Sequence, residues 1–90
     1  MENYLLKVQV WLKNEELDKD VWAVELIEGN EVSEELEFGW WWATWPDKVE
    51  LYFMIEADNK GLDVYTKEVE ELLSNNREVK HFSEVTAESR

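Results

Sequence analysis

Carboxylates are the only chemically active side chains that this chain has in quantity. Seventeen Glu and five Asp stand against seven Lys and two Arg, a formal charge of −13 over 90 residues. His81 is the single histidine and cysteine is absent. Without a thiol there is no disulfide, thiolate zinc site or redox chemistry. Without a Ser, Cys or second His at a meaningful spacing, His81 has no nucleophilic chemistry to serve. No loop alternates Asp and Asn in the manner of a calcium site. The expectation is a protein that is not an enzyme and holds no cofactor and no metal. Carboxylates arranged without such partners do electrostatics.

The charge is dense. A domain of this length has a radius of gyration of about 12 Å, so one uncompensated charge falls about every 2.4 Å of its diameter. Duplex DNA carries one about every 1.7 Å. A partner with a basic surface is expected, most simply a nucleic-acid-binding protein whose site is filled by phosphate mimicry. Phage-encoded inhibitors of host DNA-binding or defence proteins and immunity proteins for nuclease toxins share this charge and size. Direct binding of nucleic acid is not expected, because nine cations diluted by 22 anions leave no basic stripe. Solubility alone also favours a net charge far from zero. The excess of Glu over Asp, with Lys as the main cation, differs from the Asp-rich surface expected of a halophile.

Aromatic rings are the second chemical resource: six Trp, three Tyr and three Phe. Trp40-Trp41-Trp42, with Trp45 just beyond, puts the middle ring on the opposite face of a strand from its neighbours. Trp40 and Trp42 then belong to the core, while Trp41, Tyr52 and Trp11 become aromatic anchors on the other face. Glu35, Glu37, Glu50 and Glu56 form the candidate acidic patch of that face, with Glu25 joining from a neighbouring strand. Two other functions fit the aromatics. One is a carbohydrate-binding module that stacks sugars on Trp41, Tyr52 and Trp11. The other is a structural or regulatory homodimer, which would have to keep its Glu array out of the contact.

These side chains need a scaffold, and the pattern predicts an α+β fold: an antiparallel meander of about four strands with one helix on a face. Asn3 to Lys13 alternates, with Tyr4, Leu6, Val8, Val10 and Leu12 on one side. Asn14 to Lys19 reads as a loop. Asp20 to Glu28 reads as a second strand, apolar on both faces, and Gly29-Asn30 as a hairpin turn whose register stays open. Val32 to Thr44 and Lys48 to Ala57 read as a third and fourth strand joined through Pro46-Asp47. A four-residue loop places Trp42 opposite Val49, Trp40 opposite Leu51, Phe38 opposite Phe53 and Leu36 opposite Ile55. The other face then pairs Trp41 with Glu50, Gly39 with Tyr52, Glu37 with Met54 and Glu35 with Glu56.

Asn59-Lys60-Gly61 reads as a turn, followed by a helix capped by Asp63 or Thr66 and ending near Ser74. Tyr65, Val69, Leu72 and Leu73 form its apolar stripe. Glu78 to Thr86 reads as a fifth strand or a frayed helix. Residues 1–86 then make one domain, with 87–90 a disordered end. No apolar run has membrane-spanning length, and Met1-Glu2-Asn3-Tyr4 lacks the start of a signal peptide. A cytoplasmic protein with no membrane contact is the expectation.

Overall fold

The computed structural model describes residues 2–28 and 39–90. The Gly29-Asn30 turn, residues 32–38 of the expected third strand, and Glu35 and Glu37 all lie outside the described residues. The fold is α+β: among the described residues, an open five-stranded antiparallel sheet with two helices.

Strand β1 (Glu2–Leu12) is the longest, and the rest of the sheet assembles around it. Its alternation buries Leu6, Val8, Val10 and Leu12 on one face. Strand β3 (Val49–Ala57) runs antiparallel along one edge of β1, with Leu6 opposite Phe53 and Val8 opposite Leu51. β3 buries Val49, Leu51, Phe53, Ile55 and Ala57 on the same side. Strand β2 (Gly39–Thr44) pairs with β3. Two short strands, β4 (Val79–Phe82) and β5 (Thr86–Ser89), share the other edge of β1. The order β2-β3-β1-β4 is therefore not that of a sequential meander.

The segment from Asp20 to Glu28, expected as the second strand, is a helix. α1 (Lys19–Glu28) buries Trp22, Ala23, Leu26 and Ile27, an i, i+1, i+4, i+5 set that forms one helical stripe. Its start is held by Asp18, whose Oδ1 accepts from the N–H groups of Asp20 (3.0 Å) and Val21 (3.1 Å). That is the N-cap arrangement, and it satisfies two amides left unpaired by the first turn. Capping and burial of the stripe override the β-leaning Val, Trp and Ile content of the segment.

The second helix, α2 (Asn59–Ser74), begins before the expected caps. Asp58 is the N-cap, accepting from the Gly61 N–H at 2.7 Å, so Asn59-Lys60-Gly61 is the first helical turn and not a separate one. Asn75 ends the helix, with its N–H donated to the Glu71 carbonyl at 2.9 Å. The apolar stripe is as the spacing predicts: Val69 and Leu73 are buried, and Tyr65 and Leu72 pack against the core. Both helices lie on the inner face of the sheet, where α1, α2, β1 and β3 contribute to one cluster with Val85.

The β2–β3 hairpin is tighter than a four-residue loop. Thr44 pairs with Val49, and Trp45 donates its N–H to the Lys48 carbonyl at 2.9 Å, leaving Pro46-Asp47 as the turn. Every pair consequently moves by two residues. Trp42 faces Leu51, Trp40 faces Phe53, Trp41 faces Tyr52 and Gly39 faces Met54. A two-residue slip leaves each side chain on its expected face, because the strand period is two.

The end expected to be disordered is strand β5, and β4 resolves the choice between strand and helix for its part of residues 78–86. Arg90 extends the pairing, donating its N–H to the Asn3 carbonyl at 2.8 Å. Ser83 bridges the gap between β4 and β5. Its N–H donates to the Gln9 carbonyl (2.8 Å), and its Oγ accepts from the Gln9 N–H (2.9 Å).

Candidate functional site

The outer face of the sheet carries Glu50, Glu56, Trp41, Tyr52 and Trp11 together. Glu25 does not join them. It sits on α1, on the far side of the sheet, because its segment is helical. Glu50 and Glu56 are six residues apart on β3, about 20 Å along the strand, and Tyr52 and Met54 lie between them on that face. The described part of this face is not a carboxylate array.

It is instead a pair of cross-strand ladders of rings and lysines. In one, Trp41 stacks on Tyr52 with ring centroids 5.3 Å apart and planes 10° from parallel. Lys7 holds its Nζ 6.0 Å from the centre of the Tyr52 ring. In the other, Trp11 stacks on His81 at 4.5 Å and 14°. Lys48 reaches over both Trp11 (5.8 Å) and Trp45 (6.0 Å), and its Nζ donates to Gln9 Oε1 at 3.2 Å. Each contact of this kind contributes about 0.5–1 kcal/mol at an exposed site. Their spacing follows from the sheet: residues on neighbouring strands sit about 4.8 Å apart, the distance at which rings stack.

The ladders consume ring faces. Tyr52 has Trp41 on one side and the Lys7 ammonium near its ring, and Trp11 has His81 and Lys48. A sugar platform needs a free ring face, which weighs against the carbohydrate alternative. Trp41 (42% exposed) and Trp45 (50%) are the exposed tryptophans among the described residues.

Between the ladders runs a polar strip, Glu50, Gln9 and Ser83, in a cleft of about 330 Å³ that also includes Lys7, Glu84 and Thr86. The Tyr52 hydroxyl donates to Glu50 Oε2 at 2.7 Å. That hydrogen bond, with partial burial and the carboxylate charge, raises the Tyr52 phenol above its ordinary value of 10.0. The protonated phenol is thus favoured by folding. Its contribution to stability is complete below the unfolded phenol value and is lost as pH rises through the higher folded one. Glu50→Ala is therefore expected to move the Tyr52 titration back toward 10, read by NMR of the ring carbons. Tyr4, raised by its own bond to Glu2, serves as the unaffected reference. An unmoved Tyr52 titration would show that Glu50 is not the cause.

The structure places most of the negative charge elsewhere. The helices with their flanking turns, residues 14–28 and 58–76, hold 11 carboxylates and three lysines, a net −8. The described sheet and its connections, residues 2–13, 39–57 and 77–90, hold seven carboxylates and six cations, a net −1. Segment 29–38 contributes the remaining four Glu. Nine of the 11 helical-layer carboxylates are exposed, with Glu68 and Glu70 half-buried. Among the described residues, one of the 11 is in an ion pair, Asp63 with Lys67 at 3.2 Å. Among the described residues the excess negative charge lies in the helical layer, and the strand reading of residues 20–28 concealed the −3 that they add to it.

Among the described residues no three acidic or histidine side chains converge as a metal site, and no helix is long and apolar enough to cross a membrane. No protein-family model and no curated protein matches this chain.

Proposed function

We propose that this chain is a small binding protein that occupies the basic, nucleic-acid-binding surface of a partner protein, with carboxylates standing in for phosphates. The observation that carries this reading is the segregation of charge: −8 on the helical layer against −1 on the described sheet. Helix propensity favours Lys as much as Glu, so it does not account for 11 carboxylates against three lysines in this layer. A one-sided field orients an approaching basic partner and raises the rate of productive encounter. Among the described residues ten of the 11 carboxylates have no cation paired to them, although Asp18, Asp20 and Asp58 already accept hydrogen bonds within the fold. An inhibitor of a DNA-binding or defence protein, of the kind phages encode, or an immunity protein would work in this way.

The test is a displacement experiment. The tagged chain is expected to capture basic proteins from a bacterial lysate at low salt and to release them as salt rises. Duplex DNA added at low salt should release the same proteins, because it competes for the same surface. Capture that DNA leaves intact would sink the reading.

A further inference from the structure

α1 has a second apolar side. While Trp22, Ala23, Leu26 and Ile27 face the core, Val21 is 50% exposed. Val21 and Val24, neighbours at i, i+3 on the helix surface, line a shallow concavity of about 370 Å³. Its remaining walls are the carboxylate-bearing Asp20 and Glu25. Asp20 is held in position by Trp42, whose Nε1–H donates to Asp20 Oδ1 at 2.7 Å. Helix formation does not call for valine at solvent positions, where Glu or Lys costs less. A shallow two-valine hollow between carboxylates has a matching shape and charge in one common ligand: a helix with an apolar stripe flanked by Lys or Arg.

We propose that this hollow docks a basic amphipathic helix of the partner protein, with its apolar stripe on Val21 and Val24 and its cations on Asp20 and Glu25. The proposal rests on the reading of the acidic layer given above and supplies the apolar contact that charge alone lacks. Charge steers, but a desolvated apolar centre fixes register and slows release.

Two synthetic peptides of equal lysine and leucine content test it against the full chain by calorimetric titration. One gathers its leucines into a single helical stripe and the other scrambles them. The striped peptide is expected to bind about tenfold more tightly, the effect of burying a few tens of Å² of apolar surface on each side. In the Val21→Ser, Val24→Ser double variant that preference should vanish, while binding of the scrambled peptide stays as it was. In the unaltered protein the striped peptide should shift the methyl resonances of Val21 and Val24, a readout independent of any variant. Equal affinity for the two peptides, or a preference that survives the double substitution, overturns the proposal and leaves the acidic-layer reading standing. Failure of both peptides to bind at low salt overturns both. Self-association that the double variant abolishes would assign the hollow to a second copy of the chain, and that too overturns it.

Discussion

Phe53→Ala is expected to lower the unfolding free energy by about 3–5 kcal/mol, measured by urea denaturation. Phe53 is 1% exposed at the middle of β3, with Leu6 opposite it on β1 and Trp40 opposite it on β2. Among the described residues it is the largest side chain that is less than 2% exposed. Its removal would open a cavity beneath the helices that strands on both sides cannot collapse to fill. A domain of 90 residues is typically stable by about 5–13 kcal/mol, so this one substitution removes a large share. Trp41→Ala is the instructive comparison. Trp41 is 42% exposed and its main partner is the parallel ring of Tyr52, an interaction of about 0.5–1.5 kcal/mol beyond the area buried. If both substitutions cost the same, the ladders of the outer face hold the sheet as much as the core does, and the division into core and surface fails.

The two long strands were legible because each satisfies a single rule: β1 and β3 alternate, and their apolar sides meet. Trp40 and Trp42 followed the same parity, pack against the core, and were placed correctly. The rule also explains what it could not reveal. A period of two cannot distinguish one register from another two residues away, so the hairpin read from a longer loop keeps its faces and misplaces every pair. The stack of Trp41 on Tyr52 and the tight Pro46-Asp47 turn decide the register, and neither enters an apolar pattern. α1 escaped for the opposite reason. With Val21 and Val24 outward and four apolar residues inward, ten residues hold too little polar contrast to separate a helix from a doubly covered strand. β5 has only Ala87 as an apolar residue. It is held by main-chain pairing to β1, which is blind to side-chain type. The acidic character was legible from composition, but its address only in part, because the −3 of residues 20–28 joins the helical layer only when that segment is a helix.

That address leads to the second large effect. Reversing Glu15, Glu16, Glu28 and Glu71 to Lys takes the helical layer from −8 to zero and the chain from −13 to −5. Reversing Glu2, Glu56, Glu84 and Glu88 gives the same net −5 but leaves the helical layer at −8. All eight side chains are exposed, so neither set disturbs the core. Glu28 and Glu71 lie in the last turns of their helices, where a cation interacts favourably with the helix dipole. The association rate with polylysine, measured by stopped flow at low salt, is expected to fall about 10- to 100-fold for the helical set and only a few-fold for the sheet set. The difference should close near 1 M salt, where the screening length shrinks to about 3 Å. Two variants of identical net charge feel the same attraction at long range, so any gap between them reports where on the surface the encounter occurs. Equal losses would mean that the partner senses only the total charge, and the proposed mimic would have no face with which to bind.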